Sequence, residues 1–395
     1  MSNDIIIPYG IGTWIYDELY VGTKKDKVIP GMFVGNLTAY NQATNNAFLI
    51  TQTFAYGGDV EIYCRGSGES STSDKCTDTT VLTTYPGSEK DNFIGRKTQD
   101  AYLKVPGVNE HIIILDGRVD LTINKEYDYL DHINTLPEDE AILFANVVSK
   151  AVCGDDSVAG VQFDIEPFSF TGEGGSFQGP GQKYFYSQIA KNFAGWNDSP
   201  GEQKGINADL SSDPLGCVNT NHPNGRTFSV FTFAKCVTPD VVEVLKSYSN
   251  GYVMDSLYDL GPLPGGQLNS VDDFRKYAIQ EIADMKAKGV PYQFAIPAAA
   301  SAHEFETGPV PGVGAGNQIQ YIKAAIEEIN PNVLKTTDPN FKGIGVWSWN
   351  QKMIWHGGEY TPAYPPENIL TYFQTINQNC MGSAGDDITD SHDEL

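Results

Sequence analysis

Asp164 and Glu166 stand two residues apart at the end of an apolar run, Gly160-Val161-Gln162-Phe163-Asp164-Ile165-Glu166-Pro167-Phe168. Side chains alternate along an extended chain, so Gln162, Asp164 and Glu166 share one face while Val161, Phe163 and Ile165 share the other. Two carboxylates on one face can divide acid and base work. One gives a proton to a leaving group while its ionised neighbour orients or stabilises the reacting atoms. The same spacing also suits a capping or salt-bridged pair. The context favours chemistry: a glycine opens the run, apolar residues flank each polar one, and the pair falls where a buried strand ends. Other chemistries have less support. The six histidines (111, 132, 222, 303, 356 and 392) stand singly with no HExxH spacing. Gly308–Gly316 has neither a dinucleotide fingerprint nor the lysine of a P-loop. No GxSxG elbow and no CxxC pair occurs. No metal and no cofactor is therefore expected.

These carboxylates must be positioned by the rest of the chain. Runs rich in β-branched and aromatic residues recur at 47–57, 111–117, 158–166, 227–235, 251–259, 292–300 and 343–350. An eighth lies near the N-terminus, either "IIIPYGIGTWI" or "GMFVGNLTAY". Helical patterns alternate with them, starting at Pro137, Gln182, Thr238, Val271 and Asn317, and a closing helix starts near Pro366. Proline at a helix start with acidic residues in the first turn, as at 137–140, suits the positive end of the helix dipole. Alternation of buried strands with crossover helices predicts an α/β fold, a single-domain (β/α)8 TIM barrel over 1–380 with irregular loop insertions. The glycine-rich 166–182 stretch follows a strand's C-terminal end and belongs on the catalytic face. The irregular 196–226 segment belongs on the opposite one. Residues 381–395 form an acidic, disordered tail.

Composition bounds the partners. Among 395 residues, 26 Lys and Arg face 50 Asp and Glu, a net charge of −24, so a phosphate backbone or an anionic membrane would be repelled. No run of about 18 apolar residues could cross a bilayer, and the start lacks the pattern of a signal peptide, so the chain reads as soluble. The last four residues, His392-Asp393-Glu394-Leu395, spell a retention address for the endoplasmic reticulum. The expectation is the lumen, with the HDEL receptor as a partner and a signal peptide removed beforehand; secretion is the second choice. Asn36-Leu-Thr and Asn197-Asp-Ser are sequons compatible with that route, which would make the chain a glycoprotein. Six cysteines fit an oxidising compartment. Cys64 with Cys76, and Cys217 with Cys236, are plausible disulfide pairs, and Cys153, in a helical pattern, reads as a buried thiol.

The carboxylate strand resembles that of family 18 glycoside hydrolases, the chitinases and endo-β-N-acetylglucosaminidases, whose fourth barrel strand carries DGxDxDxE. Here the run is Ala159-Gly160-Val161-Gln162-Phe163-Asp164-Ile165-Glu166. The glycine, both apolar spacers, the last aspartate and the glutamate match, while Ala159 and Gln162 replace two aspartates. "SLYDL" (256–260) is similar to the family's sixth-strand MxYD, giving Tyr258 and Asp259. "GIGVWSWN" (343–350) resembles its eighth-strand ending, with Trp347 as the sugar-stacking tryptophan and Asn350 beside it. Strand two, "LITQTFAYG", fits loosely, and "ILDGRVD" departs from the family's third-strand pattern.

The resemblance implies retaining, substrate-assisted hydrolysis of β-linked N-acetylglucosamine, in chitin-like oligomers or an N-glycan core. Glu166 would be the general acid and base, Asp164 would orient the N-acetyl group, and Tyr258 would hydrogen-bond its carbonyl. Trp347, Asp259, Gln162 and Asn350 would bind substrate. Gln162 removes a charge beside Asp164 and Ala159 a further polar group, so the alternative is an inactive chitinase-like carbohydrate-binding or storage protein. Trp14, Trp196, Trp349 and Trp355 serve either stacking or packing.

Overall fold

The structure, a computed structural model, describes residues 10–15, 18–21, 24–28, 31, 33–43, 49–64, 79–80, 100–119, 137–164, 180–195, 215–258, 260, 270–297, 318–329, 338–347, 351–356 and 359–363. In chain order these form β1 (Gly10–Ile15), a hairpin of β2 (Glu18–Val21) and β3 (Lys24–Val28), α1 (Val34–Ala43), β4 (Ile50–Cys64), β5 (Thr79–Thr80), α2 (Asp100–Leu103) and β6 (Glu110–Val119). There follow α3 (Glu138–Cys153), β7 (Gly160–Asp164), α4 (Pro180–Phe193), β8 (Thr227–Thr232), α5 (Pro239–Ser247), β9 (Gly251–Ser256), α6 (Val271–Lys288), β10 (Tyr292–Pro297), α7 (Gln318–Ile329) and β11 (Phe341–Trp347). A second hairpin, β12 (Gln351–His356) and β13 (Glu359–Ala363), comes last.

Eight parallel strands run in the order β1-β11-β10-β9-β8-β7-β6-β4, and β1 also pairs with β4, which closes the ring. The fold is the expected (β/α)8 barrel. Each sequence run named above as a strand supplies a barrel strand, and of the two N-terminal candidates it is the first that does so. The second, "GMFVGNLTAY", contributes α1 instead. Phe33, Leu37, Tyr40 and Asn41 are its buried positions, a spacing of 3.6 rather than 2 residues. The closing helix expected at Pro366 lies outside the described residues.

Period-2 alternation splits the core in two. Outward-facing Val161, Phe163, Phe228, Val253, Phe294 and Ile296 pack under the helices. Inward-facing Trp14, Phe54, Ile112, Ile114, Phe231, Tyr252, Met254 and Ala295 form a separate cluster inside the ring. Local signals hold the helices in place. The Thr238 hydroxyl accepts from the Val241 amide at the start of α5, Ser270 does the same from Asp273 in α6, and Gly289 ends α6 at φ 63°.

One disulfide corrects the expected cysteine pairing. Cys153 is bonded to Cys217, and Cys236 is free. Cys217 precedes β8 and Cys236 follows it. Six residues of strand, roughly 20 Å at ~3.3 Å each, carry them to opposite ends of the barrel. Cys153, at the last turn of α3, emerges at the same end as Cys217. Around this bond Asn219 donates to Asp156 Oδ1 at 2.9 Å, and His222 Nε2 meets the Asp156 carbonyl at 2.8 Å. The described part of the irregular segment thus lies on the helix-to-strand side, as expected. Cys76 and the side chain of Cys64 lie outside the described residues.

Candidate active site

β7 is the strand that the sequence reading depends on. Its burial alternates as required: Val161 and Phe163 belong to the outer core, so Gln162 and Asp164 face into the ring. Gly160 makes this register possible. A Cβ built there would lie 2.3 Å from the Thr227 carbonyl oxygen and 2.5 Å from its hydroxyl, so β7 and β8 approach as only glycine allows. Gln162 is fully buried at mid-strand. Asp164 is half-buried at the C-terminal end, in register with Asp116 of β6, a position that sequence reasoning passed over. An aspartate closing the apolar run "IIILD" was the available signal.

The same rim receives Tyr258 and Trp347. Tyr258 is two residues past the end of β9, in a turn where the Ser256 hydroxyl donates to the Tyr258 carbonyl at 2.9 Å. Its ring lies flat against Trp347, centroids 4.9 Å apart and planes within 16°. Trp347 ends β11 half-buried, so one of its faces is occupied by Tyr258. Phe231 meets Tyr258 at 6.0 Å, and Phe233 and Leu260 belong to the same apolar cluster. The structure thus places Asp164, Tyr258 and Trp347 on the interior face at the C-terminal ends of their strands, where barrels of this kind carry their sites. Glu166, Asp259 and Asn350 lie outside the described residues.

Beneath the rim, Trp14 stacks on Phe54 at 4.7 Å and meets Phe231 edge-on at 6.2 Å. Gly345 makes room for it, since a Cβ there would lie 2.6 Å from the indole. Trp14 is therefore a core residue. Trp196, Trp349 and the side chain of Trp355 lie outside the described residues. Lower still, the Gln293 amide donates to Gln52 Oε1 at 3.2 Å, and Gln52 donates to Glu110 Oε2 at 2.8 Å. Burial raises the Glu110 carboxyl to about 7, and the Gln52 hydrogen bond opposes that shift.

A second acidic feature lies outside the ring. Asp255, fully buried, lies beside Glu281 of α6, whose carboxylate accepts from the Ala234 amide. Burial raises both carboxyls, and the negative charge of Glu281 adds to the effect on Asp255. Among the described residues, no group of three or more His, Cys, Asp or Glu gathers as a metal site. His111 and His222 have structural partners, Thr53 Oγ1 at 2.9 Å and the Asp156 carbonyl.

No family model matches the chain, and no curated relative does. Several solved structures are similar to the chain. A GH138 enzyme targeting pectin rhamnogalacturonan II is 10% identical, with a TM-score of 0.42 over 95% of this chain and 39% of its own. A GH18 chitinase from Pseudoalteromonas aurantia is 10% identical, with a TM-score of 0.42 over 93% and 99%. The endo-β-1,4-mannanase of Thermotoga petrophila is 12% identical, with a TM-score of 0.49 over 98% and 80%. Likeness at this level assigns neither a family nor a substrate.

Proposed function

We propose that the protein is a glycoside hydrolase acting on β-linked N-acetylglucosamine, with Glu166 as general acid and base. The observation that carries this reading is the inward position of Asp164 at the end of β7, on the same rim as the Tyr258–Trp347 pair. Glu166 follows Asp164 by two residues. In the proposed reaction Glu166 protonates the glycosidic oxygen as the bond to the anomeric carbon breaks. The substrate's own acetamido oxygen bonds to that carbon from the opposite face, and the later entry of water inverts it again, so the configuration is retained overall. Asp164 holds the acetamido N–H during this attack, Tyr258 donates to the acetamido group, and Trp347 supports the sugar ring. Glu166, now a carboxylate, takes a proton from the water that opens the cyclic intermediate. Asp259 and Asn350 complete the proposed substrate contacts, while Gln162, fully buried one inward step below Asp164, bears on the substrate only through Asp164.

A second reading, a carbohydrate-binding barrel without turnover, is favoured by one specific observation: Gln162 puts a neutral amide below Asp164. Turnover of chitooligosaccharides and of a high-mannose N-glycan by wild type and Glu166→Gln separates the two. The hydrolase reading expects cleavage by the wild type, and a loss of at least about 100-fold with retained binding in the variant. A wild type that binds both glycans and cleaves neither establishes the second reading. Residence in the endoplasmic reticulum lumen, through the HDEL receptor, belongs to the same proposal, and the Cys153–Cys217 bond is chemically at home there.

A further inference from the structure

We propose that the lower barrel interior is a closed hydration site, in which ordered water joins Gln162, Thr227, Ser229, Tyr252 and Gln293. Gln162 is fully buried, and neither the oxygen nor the nitrogen of its amide meets a protein partner. Strand register sets Ser229 beside Gln162 and Tyr252 beside Ser229, so three inward polar side chains stand in a row on β7, β8 and β9. The Ser229 and Tyr252 hydroxyls are buried neighbours, and neither makes a well-formed hydrogen bond. Thr227, one inward step lower on β8, likewise has a buried hydroxyl without a partner. On β10, Gln293 spends its N–H on Gln52 while its carbonyl oxygen meets nothing.

A buried amide or hydroxyl without a partner is costly, and so many in one barrel interior are not sustained by a dry core. Their chemistry selects the occupant. The Gln162 nitrogen needs an acceptor, whereas the oxygens of Gln162 and Gln293 need donors. Water is both, and it can serve three or four such groups at once. A cation would meet the oxygens and be repelled by the Gln162 N–H groups. Phe231, one inward step above Ser229 on β8, meets Trp14 of β1 edge-on across the ring, so the water is internal rather than part of the rim site. The inference does not depend on the function proposed for the rim.

The test measures long-lived internal water in the full chain by magnetic relaxation dispersion, with denaturant unfolding of the same samples. Gln162→Leu is expected to release at least one such water and to lower the folding equilibrium about ten-fold, because the remaining hydroxyls lose a shared partner. An unchanged water signal together with a variant more stable than wild type would overturn the proposal, since it would mean a dry amide. If Gln162→Leu does not fold, Ser229→Ala provides the same comparison. A melting temperature that depends on whether sodium or potassium is present, with no long-lived water, would overturn it in favour of a bound cation.

Discussion

Glu110 is a carboxyl whose surroundings, rather than its neighbours in sequence, set its behaviour. Its ordinary value is 4.5 and burial raises it to about 7. Below the lower value it is protonated in both folded and unfolded chains. Between the two, the unfolded chain gives up its proton while the folded one keeps it, so stability falls as pH rises through this window and levels off above it. At ~1.4 kcal/mol per decade the loss is at most about 3.5 kcal/mol. Asp255 and Glu281 shift in the same direction and add to the trend. Glu110→Gln isolates the first group: unfolding midpoints at pH 5 and pH 8 should differ less in the variant than in the wild type. An equal difference would mean that Glu110 does not hold its proton. Gln162 and Asp164 show a parallel division. They share a face of β7, yet one is sealed in the barrel and the other reaches the rim.

At the scale of elements, the closeness of β7 and β8 decides where the candidate carboxylates arrive. Gly160→Ala puts a methyl group against backbone that both strands hold in the ladder, and relief requires the ladder to shift. A destabilisation of about 1–3 kcal/mol or more is expected, together with weakened glycan binding at the rim. Gly35, exposed in α1 with nothing within 4 Å of an added Cβ, is the matched control. Gly35→Ala should be neutral or stabilise by up to about 1 kcal/mol, because alanine loses less backbone entropy in a helix. Chemical denaturation of the two variants should therefore give effects of opposite sign. If Gly160→Ala proved as benign as Gly35→Ala, the close approach of β7 to β8 would be wrong.

For the molecule as a whole, the Cys153–Cys217 bond ties the end of α3 to the segment entering β8, a separation of 64 residues. Closing a loop of that length restricts the unfolded chain by up to about 4 kcal/mol in the chain-entropy account. The Cys153→Ser/Cys217→Ser double variant should accordingly melt well below the wild type, and reductant should bring the wild type down to the same temperature. A reductant effect that persists in the double variant would point to another bond. The net charge of −24 spreads repulsion over a barrel that this bond and two apolar cores hold together.

The barrel was legible in the chain because parallel strands buried on both faces read as unbroken apolar runs, and crossover helices need long periodic segments between them. The side of β7 that carries Gln162 and Asp164 was legible for the same local reason, the period of two. Sequence spacing did not reveal α1, where a glycine-containing aromatic run buries a face of period 3.6. Nor did it give the partner of Cys153, which depends on which end of the barrel each loop reaches. That Tyr258 lies flat on Trp347, and that Glu110 shares an interior layer with residues from β4 and β10, were likewise decided only when the ring closed. Closure sets side by side residues some 60 to 240 positions apart, and no local pattern encodes such a distance.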